Sequence, residues 1–165
     1  MNVLIVFYSS GGRTEQLALA AGVGAIQGRA SIRLRRLPPG QEIKPDGMTA
    51  SERVNFERMS RDYTAPRPVD AEWADALILA TSPEGALHVG AYLERLPRNA
   101  PNSARIAAPL IADAAPRVLL PLYAAAAEAG LIVVPMPAGP LASADEGQAF
   151  GRRIVALAKA IKTAA

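Results

Sequence analysis

Two kinds of apolar pattern alternate along this chain. Short unbroken or alternating runs at Asn2–Tyr8, Ser31–Leu37, Ala76–Thr81, Arg105–Ala112 and Leu131–Pro135, each bounded by turn residues, predict five β-strands. Between them, apolar residues at helical spacing predict helices over Thr14–Gln27, Leu87–Leu96, Pro121–Ala129 and Asp145–Lys162. The last has Ser143 or Asp145 as a start signal before Glu146, with Phe150, Ile154, Leu157 and Ile161 on one face. Strands interleaved with helices predict a parallel sheet covered on both faces. Two prolines strain the scheme. Pro109 falls inside the fourth strand, where a missing amide donor is tolerated at an edge or a bulge. Pro121 fits the first turn of its helix. The stretch Pro38–Glu72 is long for a connection and holds one polar helix candidate, Ser51–Tyr63; segments of this size often carry function or oligomer contacts. No internal repeat or domain boundary is visible, so residues 1–165 read as one domain.

Composition narrows the chemistry. Half of the 165 residues are hydrophobic, enough for an α/β core of ordinary size. The chain has no cysteine, which excludes disulfides, thiolate metal sites and cysteine nucleophiles. It opens directly into a strand without a basic leader, and no apolar run approaches membrane-spanning length, so the expectation is a soluble, cytoplasmic protein without membrane partners. The net charge is +3, yet fifteen arginines against three lysines are scattered as a chain-wide bias, with only Arg33, Arg35 and Arg36 clustered. No recognised nucleic-acid motif accompanies the charge, and nucleic-acid binding is not expected.

The richest segment is the first turn. Val3-Leu4-Ile5-Val6-Phe7-Tyr8 runs into Ser9-Ser10-Gly11-Gly12-Arg13-Thr14 and then the helix-like Glu15-Gln16-Leu17-Ala18. A buried strand, a Ser/Gly/Thr turn and a helix start make a phosphate cradle: hydroxyls and helix N-terminal amides converge where the dipole favours negative charge. In an alternating β/α sheet this turn lies where strand order reverses, and ligands bind there. A plain strand-to-helix connection with an N-cap is the alternative reading.

The same residues carry a likeness. The first-loop stretch Val-Leu-Ile-Val-Phe-Tyr-Ser-Ser-Gly-Gly-Arg-Thr resembles the first loop of flavodoxin-fold proteins, and Trp73-Ala74-Asp75-Ala76-Leu77-Ile78-Leu79-Ala80-Thr81-Ser82-Pro83 resembles their third strand and its Ser/Thr-Pro exit. Within that fold the chain is similar to WrbA-like NAD(P)H:quinone oxidoreductases and related FMN reductases. Ser143-Ala144-Asp145-Glu146 and Gly151-Arg152-Arg153-Ile154-Val155 are similar to the end of that group. The resemblance implies a three-layer α/β sandwich, flavodoxin-like, with a five-stranded parallel sheet in order 2-1-3-4-5. It implies that Ser9, Ser10, Gly11, Gly12, Arg13 and Thr14 hold the phosphate of FMN. Arg13, where the family often has Asn or His, would add a direct charge. Ser82, Pro83, Glu84, Gly85, Ala86 and Leu87 would form a second loop bordering the flavin ring, and Asp113 to Pro116 a third on its other side. The implied reaction passes a hydride from NAD(P)H to the flavin and then two electrons to a quinone-like acceptor. Self-assembly is also implied, with 38–72 as a candidate interface.

The ring end departs from the family pattern: Pro83-Glu84-Gly85-Ala86-Leu87-His88 has no aromatic, and Asp113-Ala114-Ala115-Pro116 has no glycine. His88, the only histidine, is a candidate proton or hydrogen-bond donor, against a surface histidine capping a turn. Glu84 reads as a solvated loop carboxylate, Trp73 and Tyr92 as packing residues, and Arg33, Arg35 and Arg36 as a solvated strand end rather than a dinucleotide-phosphate site. Three function classes stay open: an FMN-dependent oxidoreductase, an electron carrier (against which the basic pI near 9.6 counts), and a cofactor-free interaction module. No metal site is expected.

Overall fold

The computed structural model describes residues 1–39, 47–96, 105–112, 116–137, 141 and 143–164. In chain order the elements are β1 (Asn2–Phe7), α1 (Arg13–Gln27), β2 (Ser31–Arg36), α2 (Ala50–Asp62), α3 (Pro68–Trp73), β3 (Ala76–Thr81), α4 (Ala86–Glu94), β4 (Ile106–Ile111), a 3-10 turn (Pro116–Leu119), α5 (Leu120–Glu128), β5 (Ile132–Val133) and α6 (Ala144–Ala164). All strand pairs are parallel, and the sheet order is β2-β1-β3-β4-β5. Strands β3 and β4 are buried at every position and β1 at all but Asn2, as both-face coverage requires. Helices α1 and α6 pack on each other over one face, while α3, α4 and α5 cover the other. Because β1 and β3 are neighbours, with the Tyr8 amide bonded to the Ala80 carbonyl at 3.0 Å, the loops that follow them leave the sheet side by side.

Helix α6 starts at Ser143, not Asp145. The Ser143 hydroxyl accepts from the Glu146 amide (3.2 Å), and the Glu146 carboxylate accepts from the Ser143 amide (3.0 Å), a reciprocal cap. Pro121 lies in the first turn of α5, where its missing N–H costs nothing. The fifth strand is shorter than its apolar run predicts. Its ladder is confined to Ile132–Val133, and one further bond runs from the Val134 amide to the Ala107 carbonyl.

That short ladder explains Pro109. Ile106 donates towards β3, whereas Arg105 and Ala107 accept from β5. By the alternation of a strand, Pro109 faces the β5 side beyond the last β5 pair, where no partner needs its amide. We expect Pro109→Val to change stability by less than about 1 kcal/mol. Ala108→Pro, which removes a donor aimed at β3, should cost about 3 kcal/mol or more. Chemical denaturation of the two variants checks this; equal losses would refute the assignment.

Candidate functional site

The first loop is organised from within. The Ser9 hydroxyl, 3% exposed, accepts from the Gly12 amide at 3.0 Å and closes the turn. Gly12 has φ +100°, a left-handed conformation that side chains resist, and serves as N-cap of α1 with no side-chain cap on the helix. The leading amides of α1 therefore face outward with no capping side chain, the arrangement that receives anions. Ser10 and Gly11 are half-buried, Thr14 is buried, and Arg13 is exposed at the rim. Behind the loop lies Arg36, only 4% exposed, which donates to the Ser9 carbonyl at 3.0 Å and to the Ser60 hydroxyl at 2.8 Å, and stacks on Phe56. Burial lowers its pKa, but it remains a cation, so a fixed positive charge backs the loop.

The expected solvated arginine cluster is corrected here. Arg33 and Arg35 hold Asp70, which is fully buried, at 3.1 and 2.9 Å, and Arg36 is itself buried. Arg33 also stacks on Trp73. Arginines alternating along an edge strand look solvent-facing in sequence, because their carboxylate lies in a separate helix.

Helix α2, the polar helix expected near Ser51–Tyr63, folds over the first loop. Thr49 and Glu52 form a reciprocal cap at its start. The Asn55 side-chain amide donates to the Gly11 carbonyl at 3.2 Å. A Cβ on Gly11 would stand 3.3 Å from Glu52 Cγ, and one on Gly12 3.4 Å from Asn55 Nδ2. Glu15, buried on α1, accepts from Arg58 Nη1 at 2.9 Å and from the Tyr63 hydroxyl at 2.6 Å. Burial alone would raise the Glu15 pKa, but the bonds from Arg58 and Tyr63 outweigh it, and the carboxyl is held below its ordinary range. Tyr63 is pushed up to about 12 by burial and by the Glu15 carboxylate. Sequence reasoning missed these residues of α2. Glu52, ionised and close to Gly11, makes that side of the loop unfavourable to an anion, which leaves the Arg13–Thr14 side.

On that side a cleft of about 120 Å³ separates the starts of α1 and α6, lined by Arg13, Gln16, Ala112 and Ser143 among others. The third-loop residue Asp113, with Ala114 and Ala115, lies outside the described residues.

The second loop follows β3. Ser82 accepts through its carbonyl from the Gly85 amide (3.0 Å) and the Thr81 hydroxyl (2.9 Å), while its own hydroxyl is buried with no partner. Pro83 and Glu84 are exposed, as expected for a solvated carboxylate, and Ala86 is half-buried. Leu87 is 84% exposed. Gly85 is required: a Cβ there would lie 2.2 Å from the Tyr8 ring and 2.7 Å from the Thr81 hydroxyl. Tyr8 occupies that space and stacks on His88, centroids 4.5 Å apart and planes within 6°. His88 is thus half of an aromatic stack, correcting its reading as a turn-capping surface histidine. Tyr8, just past the end of β1, is itself buried, with the Gly85 backbone on one side and His88 on the other. Among the described residues no group of acidic or histidine side chains is arranged to hold a metal ion, and no helix is long and apolar enough to cross a membrane.

Known proteins share this architecture. No family model matches the chain. A NAD(P)H dehydrogenase (quinone) of Brucella anthropi is 30% identical over 82 residues, and one of Brucella suis 33% over 84. In each case the match takes in 50% of this chain and 38% of the relative, so the chain spans under two fifths of those proteins. Among solved structures, an archaeal flavodoxin superposes over 98% of this chain and 99% of its own, with TM-score 0.55 and 15% identity. A flavone reductase superposes over 100% of this chain and 65% of its own, with TM-score 0.61 and 15% identity. The fold is flavodoxin-like.

Proposed function

We propose that the chain binds FMN at the two loops beside β1 and β3 and works as a flavin-dependent oxidoreductase, taking electrons from NAD(P)H and passing them to a quinone-like acceptor. The observation that carries this reading is the first loop: an uncapped helix N-terminus behind a left-handed glycine, backed by buried Arg36, at the reversal point of a flavodoxin-like sheet. The relatives called NAD(P)H dehydrogenase (quinone) and the flavone reductase neighbour support it.

The residues present suit the phosphate end. Ser10, Thr14 and the leading amides of α1 would receive the phosphate, with Arg13 adding a charge-assisted bond. At the ring end, exposed Leu87 would shield the ring from water. A bound flavin supplies two-electron chemistry by accepting and returning a hydride. The protein's part is to bind, orient and exclude water. His88, held flat against Tyr8 at the start of α4, would offer a ring nitrogen as a hydrogen-bond donor at the rim of the site.

Removing the two hydroxyls together, Ser10→Ala with Thr14→Ala, should weaken FMN binding by about 1–3 kcal/mol, the loss expected for hydrogen bonds to a charged group. Fluorescence titration reads this directly; an unchanged affinity would remove the phosphate assignment.

A further inference from the structure

A cavity of about 390 Å³ opens between the 65–68 segment and α4. Pro66 and Pro68 form one side, Ala91 and the Tyr92 ring the other, Leu37 and Leu96 contribute apolar surface, and His88 forms part of the wall. The size falls within the ~300–1,000 Å³ range of small-molecule pockets, and the mostly apolar lining with few polar groups is their usual chemistry.

The charge around it is unbalanced. Arg67 and Arg95 both line the cavity. Arg67 shares the single buried carboxylate of Asp70 with Arg33 and Arg35, at 3.8, 3.1 and 2.9 Å, so three guanidinium groups face one negative charge. Arg95 pairs with no carboxylate among the described residues. The Tyr92 hydroxyl is buried with no hydrogen-bond partner, an unmet group of the sort that marks a missing ligand or water. Burial and the Asp70 charge both raise its pKa, so it stays a neutral donor.

We propose that this cavity is a binding site for a small aromatic acid, its one or two rings lying between Pro66 and Tyr92 and its carboxylate held by Arg67 and Arg95. The prolines and the Tyr92 ring in the lining favour a flat aromatic body, and the excess of cations favours an acid group. The cavity shares His88 with the rim of the proposed flavin site, but its other lining residues lie outside the flavin loops, and the proposal does not depend on flavin binding.

The test uses 2-naphthoate as probe and neutral 2-naphthol as control, followed by isothermal titration and two-dimensional NMR of the full chain. Saturable 2-naphthoate binding is expected, with shifts centred on Ala91, Tyr92 and Ala65, and with 2-naphthol at least about tenfold weaker. Arg67→Gln with Arg95→Gln should weaken 2-naphthoate about tenfold or more while leaving FMN titration unchanged. Ala91→Phe, which fills the cavity, should abolish binding of both probes. The exposed arginine variants keep the test decisive if the cavity-filling variant misfolds. Absence of saturable binding, equal affinity for the neutral probe, or insensitivity to the arginine variants each overturns the site.

Discussion

Gly151→Ala is expected to lower stability by about 3 kcal/mol, the upper part of the range for overpacking a close contact. In a 165-residue chain that corresponds to a drop in Tm of about 10 °C. The cause is the approach of α1 to α6. A Cβ on Gly151 would stand 2.0 Å from the Ala21 carbonyl oxygen, and one on Gly24 2.0 Å from that of Gln148. Both obstacles are backbone, so a rotamer change gives no relief and the helices must part. An alanine in a helix interior is otherwise favoured over glycine by about 1 kcal/mol. The sign of the change therefore separates the two effects. Because the first loop lies at the N-terminus of α1, parting the helices would also displace the proposed phosphate site. Gly24→Ala should behave alike, and the double variant should lose less than the two single losses combined, since helices parted by one methyl make room for the other. Thermal unfolding decides it; a rise in Tm would show that the helices do not meet at these glycines.

Asp70→Asn is expected to cost about 2–3 kcal/mol at neutral pH. The carboxylate is fully buried and bonds Arg33, Arg35 and the Arg67 amide, so its loss strands two guanidinium groups in a partly desolvated site. The bond from Arg35 holds its pKa at about 2, against an ordinary 3.8, despite burial pushing it up. A carboxyl with a depressed folded-state pKa stabilises fully above its unfolded value and loses that contribution as pH falls through the folded value. Here the window runs from about pH 4 down to pH 2, and the shift is worth about 2 kcal/mol before screening. Arg33 and Arg35 are 32% and 20% exposed, so solvent reduces the figure somewhat. The gap between wild type and variant in urea midpoint should therefore be widest near pH 6 and narrow below pH 4. A gap that stays constant with pH would assign the loss to shape rather than charge.

Much of the fold is legible in the sequence because its central strands are nearly uniform in polarity. Val3–Phe7 and Ala76–Thr81 could be little else than strands buried on both faces. Helix α3 was not legible: six residues opened by Pro68 give less than two turns of periodicity. The first loop was legible because its chemistry is local, with Ser9 bonding Gly12 three residues on. What lies over it was not, because Asn55 meets Gly11 across 44 residues and Arg58 meets Glu15 across 43. The arginine cluster failed for the same reason, its carboxylate lying 35 or more residues away. Tyr8 read as the end of a strand, and only the folded packing shows it wedged between Gly85 and His88.

Equilibrium titration with FMN, with riboflavin as the phosphate-free comparison, decides whether the first loop holds the phosphate of a flavin. Saturable quenching of flavin fluorescence by the protein is expected, with riboflavin bound at least about tenfold more weakly because the phosphate contacts are absent. Equal affinity for the two would contradict the phosphate assignment, and no saturable binding of either would contradict the flavin reading as a whole.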